Sequence, residues 1–159
     1  MEQTSKKPKV VIGCDPGVNG GFVVLAFDGD VLEVTKTPPT ISLFKTMVER
    51  MEATYDIRML VKEKIHSRPT NGAKANFTIG FNVGVLDTSL MFSGIPFVDI
   101  TPQTWMKSYM LKKEKSESST DWKNRLKDKA SRIFSKQKIT LWSADAFLIA
   151  EYCRIKYGS

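Results

Sequence analysis

The chain has 159 residues, 42% hydrophobic and 26% charged, the balance of a single ordinary globular domain. Its formal net charge is +7 and it has one histidine, His66, which excludes mechanisms built on several. No apolar run reaches the ~18 residues of a membrane span, and two cysteines in apolar surroundings, Cys14 and Cys153, point to free thiols in a reducing, intracellular compartment.

Residues 1–8 read as a flexible polar tail without an apolar signal core, and 9–159 as one domain. Lys9–Asp15 (KVVIGCD) is a continuous, largely β-branched run, predicting a strand buried on both faces. A glycine-rich turn over 16–21 follows. Phe22–Phe27 and Val31–Lys36 predict two more strands, joined at Asp28-Gly29-Asp30 by a hairpin turn. Beyond Pro38-Pro39, the spacing of Leu43, Met47, Val48 and Met51 predicts a helix over 42–54. Arg58–Ile65 predicts a fourth strand with Met59, Val61, Glu63 and Ile65 on one face. After a loop over 66–76 come a long apolar helix (77–92), a short strand (97–100), a helix (102–110) and a charged loop (112–119). An amphipathic helix over 121–134 has Trp122, Leu126, Ala130, Ile133 and Phe134 on one stripe and its basic residues outside it. The last helix, 144–155, has Ser143 as its expected N-cap. This α/β order, β-β-β-α-β-α-β-α-α-α, describes the ribonuclease H-like fold, a five-stranded mixed β-sheet flanked by α-helices.

The charge is unevenly placed. Residues 1–100 hold 11 Lys and Arg against 11 Asp and Glu, whereas residues 101–159 hold 13 against 6 and supply the whole excess. It is densest from Lys107 to Lys138. A one-sided basic surface attracts polyanions, of which nucleic acid is the commonest.

Three acids sit where solvation alone explains them poorly. Asp15 and Glu63 end strongly apolar strands, and Asp145 shares a helix face with Leu148, Ile149 and Tyr152. Inward carboxylates are costly unless they meet a cation, and three that converge suit Mg²⁺ or Mn²⁺. Each also has a simpler reading. Asp15 before Pro-Gly forms turns, Glu63 can pair with Lys62 or Lys64, and Asp145 can complement a helix dipole.

Several motifs, in order, resemble one family. Ile12-Gly13-Cys14-Asp15-Pro16-Gly17 followed by small residues resembles the first motif of RuvC-type Holliday junction resolvases. Val61-Lys62-Glu63-Lys64-Ile65 resembles the second. The segments 81–86, 94–96 and 101–105 resemble the middle of phage and organellar members, and Ala144–Tyr152 resembles the closing helix. The resemblance implies that Asp15, Glu63 and Asp145 are catalytic and ligate Mg²⁺ or Mn²⁺, two per site. It implies a homodimer that nicks a four-way DNA junction symmetrically, leaving 5′-phosphates. The chain departs from the family at Thr140, Leu141 and Trp142, where a further Asp or His is usual; Ser143 or a water is the candidate substitute.

His66 or Phe77 is the candidate aromatic for entering the junction. Arg68, Lys74, Lys107, Lys112, Lys113 and Lys115 are candidate phosphate contacts. Trp105 and Trp122 read as core by their helical spacing, and helix 77–92 is apolar enough to supply a dimer face. Three rivals stand beside the resolvase: a binder of branched DNA that does not cut, a nuclease for flaps or three-way junctions, and a small ATPase, for which the chain is too short.

Overall fold

The computed structural model describes residues 6–67 and 69–159. Its elements are β1 (Lys9–Asp15), β2 (Gly21–Ala26), β3 (Val31–Lys36), α1 (Ile41–Thr54), β4 (Asp56–Glu63), α2 (Ala73–Ser93), β5 (Phe97–Ile100), α3 (Pro102–Ser108), α4 (Ser119–Ile133) and α5 (Ala144–Tyr157). The five strands form one sheet in the order β3-β2-β1-β4-β5. β1–β2 and β2–β3 pair antiparallel, and β1–β4 and β4–β5 pair parallel. The mixed five-stranded sheet is thus as the sequence predicts. Parallel neighbours need crossover connections, which α1 and α2 provide.

β1 is central, with Val10, Val11, Ile12 and Cys14 all inaccessible to solvent, as its unbroken apolar run requires. Its alternate residues serve two cores. Val10, Ile12 and Cys14 pack with Leu60 against Phe44, Met51, Leu86 and Leu90 of α1 and α2. Val11, with Val61 of β4, faces Trp105, Trp122, Leu126 and Phe147 of α3, α4 and α5.

α5 lies directly on β1. A Cβ at Gly13 would stand 2.1 Å from the Ala150 backbone nitrogen and 2.6 Å from the Ala146 carbonyl oxygen, so only glycine permits this approach. Ala144–Glu151 and Cys153 of this helix are all buried, because α5 is packed between the sheet and the helices α3 and α4.

Two local expectations change. Ser143 occupies the cap position of α5, but its hydroxyl accepts from the Thr140 backbone N–H at 3.0 Å and makes no cap bond to the helix; it closes the preceding turn instead. Ile133 is exposed, and the buried stripe of α4 passes from Ala130 to Phe134, just past the helix end. The charged loop is tied to α4 by Arg125, which donates to both Glu117 carboxylate oxygens at 3.0 Å and to the Lys112 carbonyl at 3.3 Å. Among the described residues, no helix is long and apolar enough to cross a membrane.

Candidate active site

β1 and β4 run side by side in parallel, and their last paired residues are Cys14 and Lys62. Asp15 and Glu63 are the next residues of the two strands and their last. Alternation places Asp15 on the Val11 and Gly13 face and Glu63 on the Val61 face, both toward α5. The Gly13 contact seats the first turns of α5 over this end of the sheet, which brings Asp145 to the same edge.

Each acid is held differently. Asp15 Oδ1 accepts the Gly17 backbone N–H at 3.2 Å, so the turn-forming role is real and coexists with the inward position. A Cβ at Gly20 would fall 2.1 Å from the Asp15 carbonyl oxygen and 2.8 Å from its carboxyl carbon, so glycine there lets the turn fold back over the acid. Glu63 Oε2 accepts the Trp105 indole N–H at 2.8 Å. Lys62, a partner the sequence left open for Glu63, points to the opposite face and ion-pairs with Asp87 (2.9 Å) and Asp99 (2.8 Å). Asp145 is only 7% exposed. Its Oδ2 accepts from the Lys123 ammonium of α4 at 2.5 Å, and its Oδ1 is buried without a hydrogen-bond partner among the described residues.

The acids act on one another. Burial pushes the Asp15 carboxyl up from its ordinary value, and the charge of Asp145 adds to this, while the Gly17 N–H and Lys123 oppose it. Burial pushes Glu63 up to about 7; the Trp105 hydrogen bond opposes this, and the charges of Asp15 and Asp145 reinforce it. For Lys123, burial works against the charged form, but Asp145, with Asp15 and Glu63 beyond it, outweighs burial and raises its pKa.

Among the described residues, no group of three or more His, Cys, Asp or Glu stands as a ready-made metal cage. By residue type the three carboxylates suit a hard divalent cation; two of them are raised by burial, and among the described residues one buried carboxylate oxygen lacks a partner. Positions 140–142 add no acid. The Thr140 hydroxyl pairs with Ser143 Oγ at 3.0 Å, which also occupies the expected substitute, and the Trp142 ring covers Gly21 with Lys36 over it at 5.3 Å.

The candidate DNA contacts His66, Lys74, Phe77, Lys107, Lys112, Lys113 and Lys115 are all exposed; Arg68 lies outside the described residues. His66 and Glu63 line one open cleft of about 470 Å³ with Asn71, Ile79 and Gln103. Phe77 stacks on Phe81, ring centroids 6.4 Å apart. Trp105 and Trp122 are buried, as their helical spacing predicts. Sequence reasoning missed two members of the site. Lys123 looked like one more basic residue of a solvated face, and Trp105 like core alone. The glycine inside the apolar run of β1 was the available signal of close helix–strand approach.

No family model matches the chain, and no curated protein matches it in sequence. Solved structures do resemble it. RuvC of Thermus thermophilus in complex with a Holliday junction substrate superposes with a TM-score of 0.64 at 18% identity, covering 89% of this chain and 90% of that one. A second Thermus thermophilus RuvC structure gives 0.61 at 20% identity, covering 93% and 97%. The chain therefore has the ribonuclease H-like fold in the form that RuvC takes.

Proposed function

We propose that the chain is a divalent-metal-dependent endonuclease that resolves four-way DNA junctions by paired nicks, as a homodimer. The observation that supports this reading is that Asp15, Glu63 and Asp145, at the ends of β1 and β4 and the start of α5, lie within reach of each other's charge. The shared fold with a RuvC seen on a Holliday junction supports the choice of substrate.

A phosphodiester is a poor electrophile surrounded by negative charge. A divalent cation, when bound, acidifies water and offsets that charge. Asp15, Glu63 and Asp145 are the residues that would hold it. Glu63 Oε2 accepts the Trp105 indole N–H, which fixes the orientation of the carboxylate at the site. The exposed lysines at 74, 107, 112, 113 and 115 contact phosphates and fix the register, with His66 and Phe77 at the branch point. α2 buries only Leu86 and Leu90 and exposes Phe77, Phe81, Met91 and Phe92. This apolar face supplies the dimer contact, and two-fold symmetry then presents two sites to opposed strands. Buried free thiols at Cys14 and Cys153 suit a reducing, intracellular setting.

The test is a synthetic four-way junction, end-labelled on each arm, incubated with Mg²⁺ or Mn²⁺. Wild type should give symmetric ligatable nicks, and Asp15→Asn should lose about 100-fold or more of the rate. A junction that shifts on a gel without being nicked would leave a branched-DNA binder. Preferred cutting of flap or three-way substrates would reassign the specificity.

A further inference from the structure

The carboxylate cluster already contains a cation. Lys123 reaches over from α4 and binds Oδ2 of Asp145, while Oδ1 of the same carboxylate is buried and has no partner among the described residues. An ordinary surface ion pair leaves both carboxylate oxygens to water. Here the carboxylate is 7% exposed, and a buried charge left half-satisfied is costly. We propose that Lys123 takes the place of one of the two divalent ions expected from the sequence, so that the site accepts a single divalent cation on the free side of Asp145.

This rests on the reading that the three carboxylates hold a metal. Charge decides the count. With the ion bound and all three carboxylates ionised, the ammonium leaves two negative charges, which one divalent ion cancels. A second ion would need a further acid, and Thr140, Leu141 and Trp142 supply none. α4 is well placed to hold the ammonium: Trp122, Leu126 and Ala130 anchor it in the core, and Ser118 Oγ caps it by accepting the Asp121 N–H at 3.1 Å. The Lys123 side chain is still 46% exposed, so replacing it leaves the packing of α4 intact.

The measurement is Mn²⁺ binding, followed by the spin-resonance signal of free Mn²⁺, on the full chain without DNA. Thermal melts verify that each variant is folded. Wild type should bind one Mn²⁺ per chain, and Asp145→Asn should abolish it. Lys123→Met should bind its ion at least about tenfold more tightly, because a nearby positive charge has gone. Lys123→Arg should keep the wild-type stoichiometry. Two ions in wild type, or an unchanged affinity in a folded Lys123→Met, would overturn the proposal and leave the metal-nuclease reading standing. Absence of any Mn²⁺ binding that depends on Asp145 in wild type would overturn both. If Lys123→Met does not fold, the count in wild type and Lys123→Arg still decides.

Discussion

Lys62 and Lys123 both pair with aspartates near the end of the sheet, on opposite faces. Lys62, 1% exposed, lies between Asp87 of α2 and Asp99 of β5, each about one-third exposed. The buried member is the cation, and two carboxylates that reach water surround it. Lys123 reverses this arrangement. The cation is half-exposed and the buried member is the carboxylate, which has an oxygen to spare. The first arrangement ties α2 and β5 to β4 and leaves little for a ligand to gain. The second leaves unmet negative potential beside two further acids, which is where a cation gains most. The same contrast runs through the helices. α5 is buried along nearly its whole length, whereas α2 covers its face with two buried residues and exposes a row of large apolar ones.

The largest effect should come from the contact that seats α5. In Gly13→Ala the new Cβ meets the backbone of α5 at 2.1 Å, and helix backbone cannot yield as a side chain can. Urea unfolding should show a loss of about 3 kcal/mol or more. The variant should also release Asp145 from the other two acids. A change below 1 kcal/mol (~1, the usual surface range) would mean that α5 does not sit on β1 as closely as described.

Lys62→Met comes next. It leaves Asp87 and Asp99 facing each other without their shared cation. Both reach solvent, so the cost should stay below that of stranding a fully buried charge, at about 2–3 kcal/mol. Lys123→Met, by contrast, strands the buried Asp145 carboxylate and should cost the metal-free protein about 3 kcal/mol, recovered when Mn²⁺ is added. If Mn²⁺ restores neither variant, the distinction between a structural and a functional pair collapses.

Much of this architecture is legible in the chain because burial leaves periodic traces. An unbroken apolar run with an acid at its end marks β1 and Asp15, and alternation puts Glu63 on the face of Met59 and Val61. The stripe of α4 ends one residue differently because Phe134 leaves the helix, which a fixed period does not register. What the pattern cannot contain is which side chain meets which across the fold. Lys123 follows Trp122 at the edge of the buried stripe, and nothing local says that α5 sets a carboxylate opposite it. Trp105 reads as core from its spacing, but the destination of its indole N–H depends on where β4 ends. Ser143 has the residue type of an N-cap and a turn that uses its hydroxyl first.

The electrostatic side of the comparison can be sharpened by pH. Glu63 is raised from its ordinary 4.5 to about 7, mainly by burial. Between those values the folded chain holds a proton that the unfolded chain has lost, so stability must fall as pH rises through this window. Glu63→Gln removes the charge while its amide oxygen can still accept from Trp105. In EDTA, wild type should therefore lose about 2 kcal/mol between pH 5 and pH 8 (~2 pH-units inside the window) relative to the variant. The variant's stability difference should be flat if no other group contributes. Equal pH profiles would show that Glu63 is ionised in both states and that its burial has been misjudged.

The smallest effect, and the most specific, belongs to the Trp105 indole. Trp105→Phe keeps most of the ring volume and deletes only the N–H that reaches Glu63 Oε2. A hydrogen bond to a charged acceptor is worth more than one to a neutral acceptor. The loss should therefore grow with pH, from about 0.5 kcal/mol where Glu63 is protonated to about 1.5 kcal/mol where it is ionised. Because that hydrogen bond opposes the rise in the Glu63 pKa, the falling limb of the stability profile should move to higher pH in the variant. A packing defect alone would lower the whole profile without moving it. In the Glu63→Gln background the pH dependence of the Trp105→Phe cost should vanish, leaving a constant difference. A cost that still grows with pH there would mean that the indole acts through another acid of the cluster.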